Sequence, residues 1–121
     1  MLPIYAQKSD WPELNKITSR IIQLNSVQFP QAYYLNAAAN FNLKDFANAE
    51  KSAREAIRLD PAHRYPRSEY LLALVLAFRN ENAESAQYLR SYVAKAQGTE
   101  QETAKKQLAE VEKRLNTVAT E

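Results

Sequence analysis

The sequence predicts an all-α fold built from antiparallel helical hairpins, and three observations support this prediction. Gly98 is the only glycine among 121 residues, whereas strands joined by tight turns usually need several glycines. The chain is rich in Ala, Leu, Glu, Lys, Gln and Arg, which are the strongest helix formers. Apolar residues also recur at helical spacing in consecutive segments that short turns separate.

The first predicted segment covers residues 2–26. Its beginning, Tyr5-Ala6-Gln7-Lys8, has the composition of a helix end, and a second helix follows from Asp10. One face of that second helix carries four apolar residues, Trp11, Leu14, Ile21 and Leu24. This spacing predicts an amphipathic helix that packs against its neighbours along one side.

The second predicted segment covers residues 30–61 and begins with a helix from Gln31 to Leu43. Pro30 suits the start of a helix, where the missing N–H costs nothing. The apolar residues of this helix at helical spacing are Tyr34, Ala37, Ala38 and Phe41. We therefore expect these four side chains to form its packing face.

After a short turn at Lys44-Asp45, a second helix of this segment carries only alanines on one face. Ala49, Ala53 and Ala56 are spaced by four and three residues, so they lie on one side of the helix. Small side chains allow a neighbouring backbone to come close, and this predicts tight packing. Pro61 cannot continue a helix and disfavours helix at Asp60, so the helix should end near Leu59.

The third predicted segment covers residues 62–98. A helix from Pro66 to Arg79 is apolar nearly all round, which predicts that it is buried on most sides. After a short turn at residues 80–82, a second helix carries Ala86 and Val93 at the positions of Ala49 and Ala56, 37 residues later. Turns this short make consecutive helices antiparallel neighbours.

The pattern of residues 99–118 predicts one further helix with a narrow apolar stripe. The stripe consists of Ala104, Leu108, Val111 and Leu115, and charged residues occupy the other faces. A helix with one polar side is what the end of a stacked helical array needs. A coiled-coil partner helix is the alternative interpretation, although the stripe is short for that purpose.

The segments repeat one pattern. Asp10-Trp11 matches Asp45-Phe46, and Leu14 matches Ala49, in each case 35 residues apart. The same pattern recurs after 35 and then after 37 residues, and a recurrence of this length indicates a repeat of helical hairpins. Residues 30–61 resemble a tetratricopeptide repeat most closely, and the matching positions are Tyr34, Ala38, Phe41, Phe46, Ala49, Ala56 and Leu59-Asp60-Pro61. The resemblance extends over about residues 2–98.

This resemblance implies a right-handed α-α superhelix within a single domain of residues 1–121, closed by a capping helix. It also implies a protein–protein interaction scaffold that binds a peptide or partner segment in its concave groove. The alternative is a purely structural C-terminal end of a longer solenoid. Such an end could form a homodimer through its apolar residues, namely Leu2, Ile4, Tyr5 and Trp11.

The resemblance places a groove on the side of the 31–43 helix that carries Tyr33, Asn36, Asn40 and Leu43. Asparagine is a poor helix former, so two asparagines four residues apart need a reason. By analogy with similar proteins, they would hydrogen-bond the backbone of an extended peptide. Alternatively, they are solvated, or they form a hydrogen bond between helices.

A second candidate contact lies in the loop before Pro66, where Arg64 and Arg67 flank Tyr65. Two guanidinium groups near a helix start could bind an anion or a partner. The alternative is a solvated loop in which an arginine pairs with Asp60 or Glu69.

Composition excludes several other kinds of site. Without cysteine, the chain has no disulfide, thiolate ligand or cysteine nucleophile. One histidine and one glycine make a histidine metal site or a glycine-rich phosphate loop very improbable. We therefore expect no catalytic residues, no metal and no cofactor.

The expected partner is a protein or peptide. A net charge of only +2 does not favour nucleic acid. The longest apolar run, Tyr70 to Phe78, is well short of the roughly 20 residues that a membrane helix needs, so we expect no membrane insertion. No signal-peptide pattern starts at Met1, and cytoplasmic and periplasmic locations both stay open.

Overall fold

The all-α prediction is confirmed over the residues described in the computed structural model, which are 10–24 and 29–120, with the backbone alone for 117–120. These residues form helices and no strand. The helices are α1 (Trp11–Leu24), α2 (Pro30–Asn42), α3 (Phe46–Arg58), α4 (Arg67–Phe78), α5 (Asn82–Lys95) and α6 (Gly98–Thr120). The predicted helix end at Tyr5-Ala6-Gln7-Lys8 and the apolar residues Leu2 and Ile4 lie outside the described residues.

The chain divides into two compact units, Met1–Ser68 and Glu69–Glu121. The first unit contains α1 to α3, and the second contains most of α4 together with α5 and α6. The single domain of residues 1–121 stays a prediction, and each unit is described by itself below.

In the first unit, α2 contacts both α1 and α3. The turn between α2 and α3 is short, as predicted, because Lys44 adopts a left-handed backbone with φ of 66°. Asp45 then caps α3 by accepting a hydrogen bond from the Asn48 backbone N–H at 3.3 Å. Such a cap satisfies one of the N–H groups that a helix start leaves without a partner.

The alanine face of α3 is confirmed. Ala49, Ala53 and Ala56 are all completely buried. The helix ends at Arg58, just before the predicted break at Leu59-Asp60-Pro61. Burial of three small side chains in a row lets α3 approach its neighbour closely.

The packing face predicted for α2 is only partly correct. Ala37 is completely buried, but Tyr34, Ala38 and Phe41 are half-buried. Ala32, Ala39 and the two asparagines are the other buried residues of this helix. The physical reason is that α2 packs against two neighbouring helices, so its buried surface is wider than one apolar stripe.

In the second unit, α4 is buried along most of its surface, as predicted. Its buried residues include Leu71, Leu72, Ala73, Val75 and Leu76. Helices α4 and α5 are joined by a hydrogen bond from Ser85 Oγ to the Ala73 carbonyl oxygen at 2.7 Å. Tyr70 of α4 also stacks on Tyr92 of α5, with 4.8 Å between the ring centroids.

The apolar stripe predicted for the last helix packs as expected. Ala104 and Val111 of α6 are buried. Leu108 and Leu115 pack against a core that Val111 shares with residues of α4 and α5. Among the described helices, none is both long enough and apolar enough to cross a bilayer.

Candidate functional site

A polar cavity of about 590 Å³ lies in the first unit, between side chains of α1, α2 and α3. Three of the four predicted groove residues line it, namely Tyr33, Asn36 and Asn40. The fourth, Leu43, is not among the lining residues; it is the C-cap of α2 and is exposed. The structure therefore brings together the tyrosine and the two asparagines, and it leaves the leucine at the turn.

Asn36 is a buried hub of hydrogen bonds between three helices. Its amide nitrogen donates toward α1, where Asn15 Oδ1 lies at 2.9 Å and the hydroxyl oxygens of Thr18 and Ser19 lie at 3.0 Å. Its amide oxygen accepts from Asn40 Nδ2 at 3.0 Å and from Ser52 Oγ of α3 at 2.7 Å. One side chain thus joins α1, α2 and α3.

The hydrogen-bonding capacity of the Asn36 side chain is fully used. A primary amide has two N–H donors and two acceptor lone pairs. Here four acceptors surround the two donors, the fourth being the Asn15 backbone carbonyl oxygen at 3.5 Å, and two donors point at the oxygen. Asn36 accordingly has no hydrogen bond left for a ligand, even though it lines the cavity.

Asn40 extends this network along α2. Both of its N–H groups are used by Asn36, since Asn40 Nδ2 lies 3.0 Å from the Asn36 carbonyl oxygen and 3.0 Å from Asn36 Oδ1. The hydrogen bonds of this network offset the poor helix propensity of asparagine at both positions. These asparagines were expected either to be solvated or to form a hydrogen bond between helices if they bind no ligand. Hydrogen bonding between helices is what the structure shows for Asn36.

Two carboxylates and one ammonium group line the cavity. Asp45 is engaged with Asn48 at the start of α3, and Glu55 pairs with Arg58. The hydrogen bond from Arg58 holds the pKa of the Glu55 carboxyl below its usual value and raises the pKa of the guanidinium. Lys51 has no hydrogen bond or ion pair within the described part of the chain.

Arg64 and Arg67 lie away from the cavity lining. The buried Asp60 carboxylate organises the loop before α4, because it accepts the backbone N–H groups of Arg64 at 2.9 Å and of Tyr65 at 2.8 Å. The pairing of an arginine side chain with Asp60 or Glu69 stays a prediction. Asp60 binds the Arg64 backbone, and Glu69 forms an ion pair with Lys95.

Asp60→Ala should lower the free energy of unfolding by about 2 kcal/mol, because two backbone N–H groups lose a charged acceptor. The measurement is urea denaturation followed by circular dichroism. Glu81→Ala is the matched control, since Glu81 also precedes a helix but its side chain makes no capping hydrogen bond. The control should change stability by less than about 0.5 kcal/mol. Equal losses in both variants would contradict this account of the loop.

Sequence reasoning missed the residues that α1 and α3 contribute to the cavity. Asn15 and Ser19 of α1 and Lys51 and Ser52 of α3 all line it. The sequence does indicate a polar patch on α1, because Asn15 and Ser19 are four residues apart and therefore share one helix face. Which face of α1 meets α2 depends on tertiary packing, however, and the spacing alone does not give it.

Within the described residues, no cluster of three or more histidine, aspartate or glutamate side chains is arranged to hold a metal ion. No protein-family model matches the chain, and no curated protein matches it either. The resemblance to tetratricopeptide repeats therefore stays a hypothesis based on the pattern of packing residues.

Proposed function

We propose that this chain is a non-enzymatic protein-interaction module whose cavity in the first unit binds an extended peptide segment of a partner protein. One observation carries the proposal: side chains of three successive helices converge on a cavity of about 590 Å³, and most of them are amides or hydroxyls. This volume lies within the range of protein binding sites. The proposal includes a superhelix of helical hairpins similar to tetratricopeptide repeats.

The polarity of the cavity favours a peptide as its ligand. Each residue of an extended peptide carries one N–H donor and one C=O acceptor that need partners once they are buried. Amide and hydroxyl side chains can supply partners of both kinds. Because Asp45 and Glu55 are already engaged within the protein, the cavity offers mainly neutral hydrogen-bonding groups and the ammonium of Lys51.

The test is a selection from a phage-displayed library of random peptides, followed by affinity measurement with fluorescein-labelled copies of the selected sequences. The double variant Tyr33→Ala/Lys51→Ala removes two lining side chains that have no hydrogen bond in the described part of the chain. We expect it to bind the selected peptides about tenfold more weakly, since aromatic anchors and charged contacts often contribute more than 1 kcal/mol.

The double variant Tyr65→Ala/Lys106→Ala is the control, because it removes the same residue types outside the cavity lining; it also removes one exposed hydrogen bond, from Gln31 Nε2 to the Tyr65 hydroxyl at 2.6 Å. Its affinity should stay within about twofold of the parent. Circular dichroism must first show that all three proteins are equally folded. Failure to select any peptide, or equal binding by both variants, would overturn the proposal and favour the structural end of a solenoid.

A further inference from the structure

We infer that two copies of this chain associate by exchanging α6, so that α6 of each copy packs against α4 and α5 of the other. The inference concerns the second unit alone and does not depend on the cavity of the first unit. The dimer also differs from the homodimer predicted through the apolar residues at the beginning of the chain. Two features support the exchange, namely the turn between α5 and α6 and the contacts that hold α6.

The turn between α5 and α6 is short, and its residues are compatible with a continuous helix. Only Ala96 and Gln97 separate the two helices, and both residue types are strong helix formers. The Ala96 backbone N–H still donates to the Tyr92 carbonyl oxygen at 2.8 Å, as it would in a longer α5. Ala96 then adopts an extended backbone, with ψ of 160°, and this ends the helix. Local propensity alone would therefore not break the helix at Ala96.

Gly98 stabilises the turn through its backbone conformation. Its φ of 64° lies in the left-handed region, which glycine adopts freely and alanine only at a cost. A Cβ added to Gly98 would contact no part of the described structure within 4 Å apart from its neighbours along the chain, so lack of space does not explain the glycine. If residues 96–98 became helical instead, α5 and α6 would form one helix of residues 82–120. Such a helix carries α6 away from α4 and α5 of its own chain.

Release of α6 would uncover an apolar surface of α4 and α5 that a second α6 fits. Val111 of α6 is buried in one core with Ala73 of α4 and Leu89 of α5. The α6 stripe of a second copy can complete this core in the same way, because the two copies have identical sequences. Exchange therefore covers the apolar surface again and creates no new kind of contact.

Two polar contacts between α5 and α6 can form in the exchanged dimer as well. Gln101 Nε2 donates to the Val93 carbonyl oxygen at 3.0 Å, and Arg90 pairs with Glu112 at 3.0 Å. Neither contact involves residues 96–98. Since the docked contacts of α6 are the same in both states, the balance between monomer and dimer depends on the conformation of the turn and on protein concentration.

Gly98→Ala tests the role of the turn. Alanine is disfavoured in the left-handed conformation and favoured in a helix, and each exchanged dimer contains two of these turns. We expect the dissociation constant of the dimer to fall by at least about a hundredfold, measured by sedimentation equilibrium over a range of protein concentrations. Gly98→Asn is the matched control, because asparagine tolerates the left-handed conformation and is a poor helix former. Its dissociation constant should stay within about tenfold of the parent value.

Cross-linking with Gly98 in place identifies the surfaces that meet. The chain has no cysteine, so Arg90→Cys in one chain and Glu112→Cys in a second chain place one thiol on each side of the contact between α5 and α6. After the two chains are unfolded and refolded together at high concentration, a short bis-maleimide should link them into a mixed dimer. Lys106→Cys in place of Glu112→Cys is the control, because Lys106 is exposed and lies on a different side of α6. It should give much less mixed product.

The two experiments together decide whether α6 is exchanged. The inference is overturned if folded Gly98→Ala stays monomeric, or if it dimerises no more strongly than Gly98→Asn. It is also overturned if the mixed product is no more abundant with Glu112→Cys than with Lys106→Cys, because α5 of one chain would then not meet α6 of the other. If circular dichroism shows that Gly98→Ala is unfolded, the cross-linking result decides alone.

Discussion

Asn36→Ala should lower the free energy of unfolding by about 3 kcal/mol, the upper end of the cost of leaving one buried polar group without its partner. The substitution removes the acceptor of Ser52 and Asn40 and the donor toward Asn15, Thr18 and Ser19. Because these groups belong to three helices, the loss should appear in the stability of the whole first unit. Urea denaturation followed by circular dichroism measures it.

Asn42→Ala is the control for this prediction. Asn42 lies on the same helix but is exposed, and within the described residues its side chain bonds only the Ala38 carbonyl oxygen one turn earlier, at 2.8 Å. The alanine also improves helix propensity, so the change should stay within about 0.5 kcal/mol. A loss in Asn36→Ala no larger than in Asn42→Ala would show that the buried network contributes little to stability.

The second large effect is expected at the alanine face of α3. Ala49→Leu adds three carbon atoms at a residue with no exposed surface. Overpacking of this kind costs on the order of 1–3 kcal/mol, because neighbouring side chains and backbones must move apart. The thermal unfolding midpoint of the variant should therefore fall measurably below that of the parent.

Ala47→Leu makes the same chemical change on the exposed side of α3. It should leave the unfolding midpoint almost unchanged, and Glu50→Gln on the same helix should also have little effect, since its ion pair with Arg54 is partly exposed. If Ala49→Leu proved as stable as Ala47→Leu, the helix would have to face its neighbours with a different side.

The two variants test different features of the first unit. Ala49→Leu perturbs only the distance at which α3 can approach its neighbours. Asn36→Ala perturbs the polar network that determines which side chains face the cavity. If the proposed function is correct, Asn36→Ala should also weaken peptide binding, because Asn15 and Asn40 lose the amide that holds them. That effect would be indirect, through positioning.

The sequence by itself determined the helices and their ends. Helical spacing of apolar residues, together with Pro30 and Pro61, predicted α2 and α3 within a residue or two of their observed bounds. The alanine face of α3 and the apolar stripe of α6 were also predicted correctly. These features depend on local properties, namely side-chain periodicity and residues that cannot continue a helix.

Tertiary structure alone decided what the polar residues of α2 do. Asn36 and Asn40 were predicted on the groove side, and they do line a cavity, yet the Asn36 amide is fully hydrogen-bonded to side chains of α1, of α3 and of its own helix. Asn15 and Ser52 complete the hydrogen-bond network, and the sequence analysis did not predict them as cavity residues. Their roles depend on the rotation of α1 and α3 about their own axes, and contacts with residues distant in the chain set that rotation.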